Sequence, residues 1–248
     1  MPTWLAAGLW GLLAGGALVI GAAIAWNVNV SQRVVAGIMA FGSGVLISAL
    51  SFDLVDEAIA IGGLAPTLGG FLAGALVYVS ANQVLAARGA RHRKRSENQQ
   101  ADASEPGSGT AIAVGALLDG VPESVVLGIS LIGGHGVGLP VLAAIFLSNL
   151  PEGLSSAAGM KKSGRSARYV FGVWIGIAIM TGLAGMAGFL LLQGATPEVI
   201  AAITAVAAGA ILAMIADTML PEAFEGTHMY SGLITTLGFA LALTVSRM

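Results

Sequence analysis

Asp119-Gly120-Val121-Pro122-Glu123-Ser124 and Ser148-Asn149-Leu150-Pro151-Glu152-Gly153 each lie near the middle of an apolar run long enough to cross a bilayer. A carboxylate at that depth is expensive: an acidic residue at a helix centre costs roughly 2.5–3.5 kcal/mol. Asp119, Glu123 and Glu152 together would cost about 8–10 kcal/mol if nothing compensated them. Such groups persist where they face a polar pathway, a partner or a bound ion.

The rest of the chain has the composition of a bilayer protein. Its 248 residues are 56% hydrophobic and only 10% charged, with mean hydropathy +0.87, whereas a soluble domain carries about 25% charged residues. The expected class is all-α and polytopic, a single transmembrane domain over residues 1–248. The 36 glycines suit close helix packing in lipid. Gly11/Gly15, Gly70/Gly74 and Gly172/Gly176 read as generic small-residue contacts and define no oligomer, so a homodimer is left open. With no cysteine, disulfides, thiolate metal sites and cysteine nucleophiles are excluded. A net charge of −2 argues against a nucleic-acid partner. No Lys or Arg precedes the first apolar run, so residues 4–26 are read as a retained span and not a signal peptide. Trp4 and Trp26 sit at its ends, as interfacial aromatics do.

Taking roughly 20 apolar residues per crossing, eight transmembrane segments are expected: 4–26, 34–58, 63–86, 109–132, 137–160, 168–193, 198–221 and 229–246. The connection at about 87–108 differs from the others. It carries Arg88, Arg91, Arg93, Lys94 and Arg95 and then a polar tail, with no apolar pattern to fold around, and is expected to be a flexible loop. Arg33 lies in the 1–2 connection, and Lys161, Lys162, Arg165 and Arg168 lie in the 5–6 connection. Ten of the eleven basic residues therefore fall on one side of an alternating eight-span chain. The positive-inside rule makes that side cytoplasmic and both termini extracytoplasmic.

Proline in a helix leaves the carbonyl four residues back without its amide partner, which frees the carbonyls of Leu118 and Leu147. Four-residue spacing puts Asp119 and Glu123 on one helical face, and Ser148 with Glu152 on another. If spans 4 and 5 pack antiparallel, the two Pro-Glu levels meet. The oxygens of Asp119, Glu123, Ser148, Asn149 and Glu152 would then form a cage suited to a divalent cation. One such Pro or Glu alone reads as a kink or a protonated side chain; two pairs in successive spans are harder to explain that way. Asp53 near the outer end of span 2, and Asp217 with Glu222 near the inner end of span 7, are candidate pathway residues. Asp56, Glu57 and Glu225 read as helix-end carboxylates meeting water. His92, His135 and His228 fall outside the spans and read as solvated. An intramembrane enzyme has no support, with no G-x-G-D motif and no Ser–His pair inside the spans.

These motifs and the eight-span pattern resemble the ZIP family of divalent metal transporters, in the style of its compact bacterial members. S-N-L-P-E-G-L-S-S-A-A-G (148–159) is similar to that family's His-Asn-x-Pro-Glu-Gly signature. The resemblance implies an inverted 3+2+3 arrangement in which spans 1–3 relate to spans 6–8, with a central metal site built by spans 4 and 5. It places Asp119 and Ser148 where the family usually has His, and Gly120 where it usually has Asn, while Glu123, Asn149, Pro151, Glu152 and Gly153 match. Imidazole favours zinc, and the remaining oxygen donors suit Mn²⁺ or Fe²⁺ relatively better. The function implied is a secondary transporter carrying a divalent metal, nominally Zn²⁺ with Fe²⁺ or Mn²⁺ as alternatives, into the cytoplasm from a prokaryotic inner membrane. The alternative is a non-transporting relative, a metal sensor or membrane scaffold. Lipid and the metal ion are the partners expected.

Overall fold

The computed structural model of the chain describes residues 1–132 and 136–247. His135, expected in an outer turn, lies outside the described residues. Within them the fold is helical, with no strand. The helices are α1 (Thr3–Asn27), α2 (Gln32–Gly62), α3 (Leu64–Leu85), α4 (Ser108–Ile129), α5 (Leu139–Lys162), α6 (Ala167–Leu192), α7 (Pro197–Met214), α8 (Leu220–Thr227) and α9 (Ser231–Ser246). Seven helical runs among the described residues are long and apolar enough to cross a membrane, which makes this a multi-pass membrane protein. The last of them, Pro197–Ser246, spans 50 residues. At 1.5 Å per residue a straight helix of that length would reach about 75 Å, more than twice the hydrocarbon thickness. The run is interrupted at His228, whose φ of 45° and ψ of −117° are not helical.

The basic connections gather at one end of the bundle. Lys161 Nζ donates to the Trp26 carbonyl at 2.7 Å. Lys162 pairs with Glu97 at 2.8 Å, and Arg165 donates to Ser108 Oγ at 2.8 Å. Arg33 and His228 line one cavity at that same end of α2 and α9. At the opposite end Ser246 donates to Asp53 at 2.5 Å. The α2 and α9 helices therefore run side by side in the same direction, from Arg33 and His228 to Asp53 and Ser246.

Packing follows a paired pattern. The α1 helix lies along α6 and α5, and α4 lies along α6; α3 lies along α7, and α2 along α9. More lightly, α2 touches α5 and α4 touches α7. Small residues set the closest crossings. Gly21 of α1 and Gly153 of α5 meet so closely that a Cβ on Gly21 would strike the Leu150 carbonyl, and one on Gly153 that of Leu18. Gly11/Gly15 pack on α6 and Gly70/Gly74 on α7, while Gly172 and Gly176 face open space.

The α4 and α5 helices touch each other only lightly. What separates them is the connection that the sequence left without a packed face. Beyond Ala90 that segment is turns and bends up to Gly107, yet Arg93, Lys94, Ser96 and Gln100 are buried. Its contacts are polar throughout, so no apolar periodicity announces them.

Candidate functional site

Pro122 and Pro151 lie inside unbroken α4 and α5, and both helices present their carboxylates inward. Asp119, Glu123, Ser148, Asn149 and Glu152 are all buried, none more than 4% exposed. The Arg93 guanidinium grips Asp119 as a fork, Nε to Oδ2 at 3.0 Å and Nη2 to Oδ1 at 2.9 Å. That planar match is the strongest form of such a pair. Tyr78 donates to Asp119 Oδ1 at 2.7 Å and accepts from Arg93 Nη2 at 2.9 Å. Arg93 Nη1 donates to Asn82 Oδ1 at 2.7 Å. Asp119 and Arg93 thus satisfy each other almost completely.

Lys94 reaches across the gap. Its Nζ lies 2.6 Å from Glu152 Oε2 and 3.4 Å from Asp119 Oδ2, so the α4 and α5 carboxylates meet through an ammonium group. Glu123 faces the same charges, but neither of its carboxylate oxygens has a hydrogen-bond partner among the described residues, nor has Glu152 Oε1. A buried carboxylate left unpaired carries a large desolvation cost. The space left beside Lys94, Asp119, Asn149 and Glu152 is about 10 Å³, about enough for one water. As the side chains stand, no group of three or more His, Cys, Asp or Glu among the described residues is spaced to hold a metal ion.

Ser148 donates its hydroxyl to the Ile145 carbonyl at 2.9 Å, which leaves the oxygen lone pairs free to accept. Asn149 donates to the Ala14 carbonyl of α1 at 3.0 Å, which fixes the side chain that lines the remaining space. The pathway candidates divide. Asp53 and Asp217 each sit in a wide π-type turn, Leu50–Val55 after the first part of α2 and Ile215–Met219 after α7, a distortion that recurs at functional sites. Asn82 donates to Asp217 at 3.5 Å, so a polar chain runs from Asp217 through Asn82 and Arg93 to Asp119. Glu222 does not meet water at a helix end. It is 1% exposed and accepts from Ser96 N at 3.0 Å and Ser96 Oγ at 2.5 Å, with Ser155 Oγ 3.1 Å away. Asp56, Glu57 and Glu225 are exposed, and Glu225 pairs with Arg95 at 2.7 Å. His92 lines a cavity of about 180 Å³ with Arg91, Lys94, Arg95, Asp217 and Thr218. Burial and the neighbouring Arg95 and Arg91 hold its imidazole below the ordinary histidine range, against the opposing pull of Glu225.

Sequence reasoning missed Arg93, Lys94, Tyr78 and Asn82 as parts of this centre. Tyr78 and Asn82 carried a signal, being polar residues four apart on one face of an apolar helix. Arg93 and Lys94 entered only as topology markers. The one hint was three intramembrane carboxylates with no cation inside any span to balance them.

The fold and site define a class: a multi-pass helical membrane protein with a carboxylate centre buried between α4 and α5. No family model matches the chain. It is 28% identical over 219 residues to a zinc transporter named ZupT from Escherichia fergusonii, a similarity that covers 86% of this chain and 85% of that protein.

Proposed function

We propose that the chain is a secondary transporter of the ZIP type that carries a divalent metal ion across the membrane into the cytoplasm. The observation that carries this reading is the orphaned pair of carboxylates: both oxygens of Glu123 and one of Glu152 are buried without partners, in a centre a divalent cation would complete. Glu123 and Glu152 bind the ion, Ser148 and Asn149 supply further oxygens, and Asp119 is held at the edge by Arg93. The oxygen donor set suits Mn²⁺ or Fe²⁺; the likeness to a zinc transporter favours zinc. Zinc is the nominal substrate.

The architecture proposed with it is eight crossings in an inverted 3+2+3 arrangement. The packing supports it. Counting α9 as span 8 and exchanging spans 1–4 for 6, 7, 8 and 5 turns α1–α5 packing into α6–α4, α3–α7 into α9–α2, and α2–α5 into α7–α4, all of which are present. The same exchange relates the wide turns bearing Asp53 and Asp217. The gathering of basic connections at one end supports a cytoplasmic assignment for that end, with both termini outside and Asp53 and Asp217 at opposite mouths. Rocking of one helix group against the other would expose the centre alternately.

One observation favours a second reading, a sensor or scaffold that does not transport: Arg93 and Lys94 balance much of the buried charge without any metal. Radioactive zinc or manganese flux into proteoliposomes separates the two. Saturable flux, lost in Glu152→Ala, supports transport. Metal binding without flux would select the second reading.

A further inference from the structure

The connection between α3 and α4 does more than cover the centre. We infer that Lys94 is a tethered occupant of the cation site, an ammonium on a clasped loop that the metal must displace before Glu123 and Glu152 can close on it. The inference rests on the transport reading above and adds a residue that sets affinity for the same site.

Formal charge gives the first argument. Arg93 and Asp119 form a closed pair, which leaves Glu123 and Glu152 with two negative charges. Lys94 balances one of them, and a divalent ion would balance both. The loop-seated state therefore leaves Glu123 either bare or holding a proton, with no cation of its own, and a divalent ion would take the place of both the lysine and that proton. The exchange of Lys94 and that proton for one divalent ion keeps the centre neutral. A monovalent ion would gain nothing over the lysine already there.

The second argument is the unequal fit of the two adjacent basic side chains. Arg93 uses its donors on Asp119, Tyr78 and Asn82. Lys94 lies against Glu152 and Asp119, but its ammonium makes no well-aligned hydrogen bond among the described residues. Arg93 is built to stay, and it keeps Asp119 out of the metal's coordination shell. Lys94 is the replaceable one.

The third argument is the clasp behind it. The two N–H groups of Gln100 Nε2 are shared among the carbonyls of Arg93, Arg95 and Ser156, each 3.0 Å away. Ser155 donates to the Lys94 carbonyl at 2.5 Å, and Glu222 holds Ser96 from the other side. These contacts hold the backbone from Arg93 to Ser96 against α5 and α8. The ends of the segment are only turns and bends, so releasing the clasp frees Lys94 without unwinding a helix.

The test uses the purified full-length chain in detergent, with zinc or manganese chloride as probes. The chain has three lysines, Lys94, Lys161 and Lys162. Acetylation by a water-soluble amine reagent, read by mass spectrometry, reports Lys94 exposure, with exposed Lys162 as internal control. Equilibrium dialysis reports metal binding in parallel. The expected result is that Lys94 is protected without metal and becomes reactive over the concentration range in which metal binds, while Lys162 does not change. Gln100→Ala, which touches no carboxylate, should expose Lys94 without metal. If the loop is seated about ten to one, it should also tighten metal binding about tenfold. Metal binding with Lys94 still protected overturns the inference and leaves the transport reading standing. A Gln100→Ala chain with Lys94 exposed but unchanged affinity overturns it as well. Failure of both wild type and Gln100→Ala to bind metal sinks the transport reading and this inference together.

Discussion

Asp119 and Glu123 sit one helical turn apart on the same face of α4, both buried, and their surroundings could hardly differ more. Asp119 has a forked arginine, a tyrosine hydroxyl and a lysine within reach. Glu123 has no hydrogen-bond partner on either oxygen among the described residues. They share one face of one helix and lie only about 6 Å apart along its axis, so helical register does not explain the difference. What separates them is whether the protein has supplied the counter-charge itself. Where it has, the carboxylate is a structural fixture. Where it has not, the carboxylate is held in a costly state that a ligand can relieve. Burial of an acid thus marks a polar centre, and the state of its pairing says which acid awaits something.

The comparison is broken or sharpened most strongly by neutralising Glu123. Glu123→Gln should reduce metal uptake in cells to background, at least about a hundredfold, since a charged ligand is lost from the centre of the site. The same change should leave thermal stability unaltered or higher, because the carboxyl group it replaces has no hydrogen-bond partner to lose. A marked loss of stability would place Glu123 with Asp119 as a structural group. Asp119→Asn should behave in the opposite way. It strands the buried Arg93, so stability in chemical denaturation should fall by about 3–5 kcal/mol; an unchanged unfolding midpoint would show that the fork is not structural. Tyr78→Phe removes one hydrogen bond to each member of that pair and should cost about 1.5–3 kcal/mol by the same assay. The smallest effect belongs to a pair outside the centre. Lys162→Ala breaks the exposed contact with Glu97 and should change stability by less than about 1 kcal/mol, a reference against which the buried pairs are read.

The fold was largely written in the hydropathy. Long apolar runs with Gly, Pro or Asn between them gave helices whose ends fall within a few residues of the expected ones, for example 109–132 against Ser108–Ile129 and 168–193 against Ala167–Leu192. The sequence could not say that 198–221 and 229–246 would join as one helical run broken at His228, because a local backbone reversal leaves no mark in hydropathy. The inward carboxylates of α4 and α5 were legible because charge is so expensive in an apolar run. Arg93 and Lys94 were not. They lie in a polar segment with no periodicity, and their burial follows from pairing with acids 26 and 58 residues further along the chain. The surroundings of Glu222, a pathway candidate from its place near a helix end, were not legible for the same reason: its neighbours Ser96 and Ser155 are brought to it only by the loop and α5.

The central claim is that a divalent ion binds between Glu123 and Glu152. The most direct measurement is an experimental structure of the chain grown with zinc or manganese, with the metal identified by anomalous scattering at its own absorption edge. The account predicts one peak within coordination distance of both glutamates, with the Lys94 ammonium withdrawn and the Arg93–Asp119 fork intact. A saturated metal signal elsewhere, with Lys94 still against Glu152 and the Glu123 oxygens still bare, would contradict it.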